Sequence, residues 1–253
     1  MTSLASTMID QLVQGDRKTI ARAISQVEND TPLSKEILKS IYGRTGRAYR
    51  VGITGPPGAG KSTLTNKLAR VYRLQQKKVG IIAVDPTSPF TGGALLGDRV
   101  RMSEVELDEG VFIRSMASRG SLGGLSKRAK EAADILDAAG YDVVILETVG
   151  VGQSELDIAS AADTTIVVLV PESGDGIQAM KAGLMEIADF FVLNKADRPG
   201  ADQAVMSLNM ILGFRAHTAE SWMPEVLKTQ ASEGKGTEEV AEFIHRHRSF
   251  LET

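Results

Sequence analysis

Apolar positions in the first forty residues recur at helical spacing. Leu4, Met8, Ile9, Leu12 and Val13 form one such set, and Ile20, Ala23, Ile24 and Val27 another. Asp30-Thr31-Pro32 interrupts the pattern, and Ser34 is expected to cap a further helix through Ile41. Gly43-Arg44-Thr45-Gly46-Arg47 reads as a basic connector. From Tyr49 the pattern changes. Short β-branched runs occur at Val51–Thr54, Val79–Val84, Val111–Ile113, Val143–Leu146, Thr165–Val170, Phe190–Leu193 and Val226–Thr229. They are apolar without alternation, as expected of strands covered on both faces. Amphipathic stretches separate them at Ser62–Leu74, Leu125–Ala139, Ile177–Glu186, Ala201–Leu212 and Thr237–Phe250. This alternation predicts an α/β fold, a mostly parallel sheet wrapped by helices. Residues 1–48 form a helical N-terminal extension, an appendage to one α/β domain over residues 49–253. Two stretches, Pro86–Met102 and Val149–Ser154, fit neither strand nor helix. Both follow strand ends, where open α/β sheets bind ligands.

Composition narrows the function classes. A 42% hydrophobic content over 253 residues supports a sizeable core and excludes disorder of the whole chain. Lys+Arg number 29 against Asp+Glu 32, which argues against a dedicated nucleic-acid binder. There is no cysteine, so disulfides, Cys-ligated zinc, iron–sulfur clusters and thiol nucleophiles are excluded. With only His217, His245 and His247, a multi-histidine metal site is not expected. The N-terminus lacks a basic region followed by an apolar core, and the longest apolar runs are too short to span a bilayer. A soluble cytoplasmic protein that binds neither nucleic acid nor membrane is the expectation.

The strongest chemical signal is Gly55-Pro56-Pro57-Gly58-Ala59-Gly60-Lys61-Ser62, with Thr63 following. It fits G-x-x-x-x-G-K-S between a strand and a helix, the context of a P-loop. The glycines let backbone N–H groups point inward at phosphate oxygens, and the helix N-terminus adds a favourable dipole. Lys61 is placed for the β- and γ-phosphates and Ser62 for Mg²⁺. The second signal is Asn194-Lys195-Ala196-Asp197, matching the N-K-x-D element of GTPases. A carboxylate at Asp197 accepts from guanine N1–H and the N2 amine; adenine offers no such pair on that edge and leaves the carboxylate unpaired. The third is Glu147 at the end of an apolar strand, followed by a glycine turn. An acid there holds Mg²⁺ or its water shell. Gly150 lets a backbone N–H approach the γ-phosphate, and Gln153 is a candidate to orient the attacking water or a solvated loop amide. Asp85 and Asp98 are further candidate Mg²⁺ carboxylates, each equally readable as a loop cap.

These residues together resemble the methylmalonyl-CoA mutase-associated GTPases of MeaB/ArgK type. Relatives of the human methylmalonic aciduria type A protein, they are SIMIBI-class P-loop GTPases, beside the nickel-insertion GTPases of urease and hydrogenase. The resemblance runs from about Ala5 to Phe250 through Gly55–Ser62, Val84–Pro89, Gly92–Met102, Glu147–Glu155, Pro171–Asp175 and Asn194–Asp197. It implies that Asp85, Asp98 and Glu147 surround Mg²⁺ with Ser62. The loop with Asp98 corresponds to switch I, and Val149–Glu155 to switch II. Glu172–Lys181 matches a further switch, where Lys181 resembles a lysine implicated in catalysis on partner binding. Gln230-Ala231 matches a Ser-Ala base-contact element; with Gln in place of Ser, only a backbone contact near Ala231 carries over. The resemblance implies a slow GTPase, converting GTP to GDP and phosphate, that gates adenosylcobalamin delivery to, and protection of, a cobalamin-dependent acyl-CoA mutase. Longer members continue into a helical arm that helps dimerisation, whereas this chain ends at Thr253. A homodimer, if formed, is then built differently or completed by a partner. The alternatives are a metal-insertion GTPase and a P-loop small-molecule kinase. Arg99, Arg101 and Arg119 are candidate arginine fingers in cis, and an ordinary surface role is favoured for each.

Overall fold

The structure, a computed structural model, describes residues 4–85, 105, 107–117, 124–148, 158–173, 182–214, 218 and 220–253. Three helices come first: α1 (Leu4–Val13), α2 (Arg17–Glu28) and α3 (Pro32–Ile41). Asp16 caps α2, its carboxylate accepting the Thr19 N–H at 2.7 Å. Ser34 does not cap α3 as expected. The helix starts at Pro32, after Thr31 at the cap position, and Ser34 Oγ donates to the Thr31 carbonyl at 2.6 Å. Proline suits that position because its φ is already helical and its missing N–H has no partner to lose there.

The sheet and its helices follow: β1 (Tyr49–Thr54), α4 (Lys61–Leu74), β2 (Val79–Asp85), β3 (Val111–Ala117), α5 (Gly124–Ala138), β4 (Val143–Thr148) and β5 (Thr164–Leu169). The chain continues as α6 (Ala182–Ile187), β6 (Phe190–Leu193), α7 (Ala201–Gly213), β7 (Val226–Lys228) and α8 (Thr237–Leu251). Strand order is β3-β2-β4-β1-β5-β6-β7, and every pairing is parallel. Strand β3 outruns the apolar run that predicted it. Its polar Arg114 is accommodated because it reaches Glu28 at 2.8 Å and Ser25 at 3.0 Å on α2.

The sheet is covered on both faces. On one, Leu12, Ile20, Ile24, Ile37 and Ile41 of α1–α3 join Leu136 of α5 and Ile82 and Leu146 of the sheet. Each buried aliphatic side chain contributes about 1.5–3 kcal/mol. The N-terminal helices therefore share the sheet's core. Buried Asp137 fastens their connector, accepting the N–H groups of Gly46 at 2.6 Å and Ala48 at 3.0 Å. On the other face, Leu64 and Leu68 of α4 and Phe243 and Ile244 of α8 cover Val51, Ile53, Ile145 and Phe190. A third cluster seats Leu208 and Leu212 of α7 on Val167, Leu169, Phe191 and Leu193. Among the described residues, no helix is long and apolar enough to cross a membrane.

At the amino ends of the strands, His247 of α8 is 3% exposed. Its Nδ1 lies 2.8 Å from Thr164 Oγ1, which in turn lies 2.5 Å from Tyr49 Oη. Its Nε2 is 3.5 Å from Asp189 Oδ1, and Trp222 packs against the ring. Burial pushes the Tyr49 phenol up to about 12. Burial also lowers the His247 pKa below its ordinary 6.5, against the opposing pull of Asp189 and Asp163. In the unfolded chain His247 takes its proton near the ordinary value; in the fold it resists. The stability this provides is complete above that value, falls as pH drops through it, and levels off below the folded pKa. Thermal melts between about pH 7.5 and pH 5.5 should therefore show a steeper loss of Tm in the parent than in His247→Gln. Parallel losses in the two proteins contradict this.

Candidate functional site

All the described site residues lie at the carboxyl ends of the parallel strands, where register aligns them. Glu147 on β4 pairs in register with Ile53 on β1 and Ala83 on β2. The loop leaving β1 turns through two positions that only glycine tolerates. Gly55 has φ +136, and a Cβ there would lie 2.1 Å from the Val168 carbonyl oxygen. Gly60 has φ +90, and a Cβ there would lie 2.3 Å from Asn194 Nδ2. Gly60 then opens α4, whose first intrahelical bond runs from Leu64 N–H to the Gly60 carbonyl at 3.0 Å. The N–H groups of Lys61, Ser62 and Thr63 precede that bond and have no carbonyl partner within the helix, which makes this end attractive to anions. Lys61 is buried, and its Nζ donates to the carbonyls of Gly55 at 2.7 Å and Pro56 at 3.0 Å. The ammonium is thus held inside the curl of the loop. Ala59 is buried, while Pro57 and Gly58 face solvent.

Glu147 is 1% exposed, and Ser62 Oγ donates to its Oε1 at 2.5 Å. The hydroxyl and carboxylate are hard oxygen donors at the mouth of the phosphate loop, a donor set that fits Mg²⁺ beside phosphate and water. Asp85 ends β2, one residue beyond the Val84–Thr148 pairing. Asp98, Gly150, Gln153 and Lys181 lie outside the described residues, as do Arg99, Arg101 and Arg119.

The loop after β6 is joined to the phosphate loop by side chains. Asn194 is buried; its Nδ2 donates to the Ala59 carbonyl at 2.8 Å. Its Oδ1 accepts from Thr229 Oγ1 and from the Ala231 N–H, both at 3.0 Å. Lys195 takes a left-handed conformation, φ +56, and its Nζ donates to the Gly58 carbonyl at 2.8 Å. Asn194 therefore clamps the phosphate loop, its own loop and the loop after β7. The Ala231 N–H, expected at the base, is engaged by this clamp. The Gln230 side chain accepts from Lys235 Nζ at 3.5 Å. Asp197 is exposed; the hydrogen bond and charge of Glu233 raise the Lys235 pKa, and the Asp197 charge adds to this. Arg198 donates to Glu172 at 2.5 Å, and this hydrogen bond holds the Glu172 carboxyl below the usual carboxylate range. The clamp and the Arg198–Glu172 pair were missed in the sequence, because no spacing rule links Asn194 to a residue 135 positions away.

A family model described as methylmalonyl Co-A mutase-associated GTPase MeaB matches residues 20–253. The chain belongs to this family. A protein of Pyrococcus horikoshii named as a GTPase is 56% identical over 97% of the chain and 78% of its own length. The GTPase ArgK of Escherichia coli is 42% identical over 92% of the chain and 72% of its own length. The crystal structure of a LAO/AO transport system kinase superposes with a TM-score of 0.81 at 35% identity, covering 98% of this chain and 76% of that one. This MeaB-family chain is accordingly a P-loop GTPase that binds guanine nucleotide.

The clamp yields a prediction. Asn194→Ala removes the acceptor of the Ala231 N–H and the donor to Ala59. Chemical denaturation should show a loss of about 1–3 kcal/mol. GDP titration should show affinity lower by about tenfold or more, equivalent to about 1.4 kcal/mol of lost positioning. Unchanged GDP affinity contradicts the clamp's role in the site.

Proposed function

We propose that this MeaB-family GTPase uses GTP binding and hydrolysis to gate adenosylcobalamin delivery to, and protection of, a cobalamin-dependent acyl-CoA mutase such as methylmalonyl-CoA mutase. The family description supports the mutase association, and the Asn194 clamp supports the guanine switch by fixing the base-reading and phosphate loops to one another.

In this reading Gly55, Pro56, Pro57, Gly58, Ala59 and Gly60 wrap the phosphates, with the α4 N–H groups of Lys61, Ser62 and Thr63 directed at them. Lys61 exchanges its loop carbonyls for β- and γ-phosphate oxygens. Asp197 accepts from guanine N1–H and N2, while Asn194 and Lys195 hold the loop that presents it. Gln230 and Ala231 border the base. Ser62 and Glu147 hold Mg²⁺, with Asp85 and Asp98 supporting its water shell. An ion held by these residues would supply charge neutralisation at the phosphate oxygens. Water attacks the γ-phosphorus, GDP leaves, and Gln153 orients the water. Gly150 senses the γ-phosphate, and Lys181 completes the site when the mutase binds.

Two outcomes check this reading. Asp197→Asn should lose about 100-fold in GTP affinity and gain relative affinity for xanthosine triphosphate, whose N2 amine is a carbonyl. Equal ATP and GTP binding by the parent would sink the guanine assignment. Single-turnover GTP hydrolysis should accelerate by about tenfold or more when a cognate adenosylcobalamin mutase is added, which corresponds to about 1.4 kcal/mol of transition-state stabilisation. Lys181→Ala should remove most of that acceleration and leave GDP affinity nearly unchanged. A mutase that neither binds nor alters the rate overturns the chaperone role while leaving the GTPase assignment intact.

A further inference from the structure

Successive residues of the loop after β6 reach different neighbours. Asn194 and Lys195 hold the loop after β1 through the Ala59 and Gly58 carbonyls, and the Ala196 N–H donates to the Thr229 carbonyl after β7 at 3.0 Å. The last rung between β5 and β6 pairs Leu169 with Leu193, and the Asn194 N–H still reaches the Leu169 carbonyl at 2.8 Å. Beyond that bond the β5–β6 ladder stops. Arg198 spans the gap: its Nη1 lies 2.5 Å from Oε1 of Glu172, in the short helical turn Pro171–Ser173. The Arg198 N–H also donates to the Lys195 carbonyl at 3.0 Å, which closes a turn from Lys195 to Arg198 with Asp197 inside it. One end of this turn is anchored by Lys195 to Gly58, the other by Arg198 to Glu172. Among the described residues, none hydrogen-bonds the exposed Asp197 carboxylate, so its place is set by the turn that carries it.

We propose that Arg198 is a positioning residue: through its ion pair with Glu172 it holds the turn that presents Asp197 to guanine, and the pair sets how long the nucleotide stays bound. The inference rests on Asp197 as the base-reading carboxylate. A carboxylate that accepts from both N1–H and the N2 amine must meet the two donors at good angles at once. A turn released at one end loses that alignment, and the second hydrogen bond weakens first. Arginine suits the tether because its guanidinium stays charged and presents its N–H groups in a fixed plane. The two side chains are 45% and 53% exposed, so the pair adds little to the stability of the fold. Its effect falls on the loop it holds, and an exposed pair of this kind shifts such an equilibrium by about threefold. Being open to solvent, it is also screened by salt. Whatever draws Glu172 away therefore loosens Asp197.

Release of a fluorescent GDP analogue, chased with excess GDP, tests this. Arg198→Ala and Glu172→Ala should each speed release by about threefold at low salt. The double variant should release no faster than either single, because both substitutions remove one and the same interaction. Raising the salt from about 0.05 to about 0.5 M should bring parent and variants together. Inosine diphosphate, which lacks the N2 amine, separates positioning from a merely structural role. A general loosening of the fold weakens GDP and inosine diphosphate alike, whereas a misplaced Asp197 narrows the parent's preference for GDP, by about threefold in both variants. Single substitutions whose effects add, or an unchanged GDP preference in the variants of a parent that discriminates, overturn the inference and leave the Asp197 reading standing. A parent that binds the two diphosphates equally overturns both.

Discussion

The proposed nucleotide site depends on the side chain of Asn194. A parallel sheet delivers its loops to one edge but does not fix them to each other, because each loop belongs to a different strand. Asn194 supplies that link. Its one amide group donates to the Ala59 carbonyl and accepts from the Thr229 hydroxyl and the Ala231 N–H. The loops after β1, β6 and β7 thereby become one hydrogen-bonded unit. The clamp is also the reason Gly60 must be glycine, since a Cβ there would collide with the Asn194 amide. Buried polar networks of this kind hold a unique geometry only when every member is satisfied.

The second half of the site follows from strand register. Glu147 sits beside Ile53 because β4 and β1 run parallel with that pairing. The carboxylate therefore meets Ser62 at the first turn of α4 and arrives already hydrogen-bonded. A buried carboxylate so placed is suited to an oxygen-coordinated cation and poorly suited to remaining alone. The two halves of the proposed site are thus set by two different devices, a side-chain clamp and a backbone ladder.

Much of this was legible in the sequence, for identifiable reasons. Strands buried on both faces are continuously apolar, so six of the seven announced themselves closely; β3 was cut short because Arg114 breaks its run and is satisfied only through α2. The Gly55–Ser62 and Asn194–Asp197 motifs stand out in the sequence because local backbone geometry dictates their residue types. Features depending on distant partners could not be read. The sharing of one core by α1–α3 and the sheet rests on contacts between Ile20 or Ile37 and residues near Leu136 and Leu146. The exposed face of α7 was hidden for another reason. Met206 and Met210 recur at helical spacing just as Leu208 and Leu212 do, and only the packing tells which pair faces the core.

The proposed guanine site is assembled before nucleotide arrives. In the free fold the N–H of Asn194 donates to the Leu169 carbonyl at 2.8 Å, Ala196 to Thr229 at 3.0 Å, Thr229 to Leu193 at 2.9 Å, and Ala231 to Asn194 Oδ1 at 3.0 Å. Amide hydrogen exchange of the nucleotide-free protein measures this directly. These four amides should already be slowed by about 100-fold or more, and GDP should add little to them. Fast exchange at Ala196 and Ala231 in the free protein, with protection appearing only on GDP binding, would contradict the account.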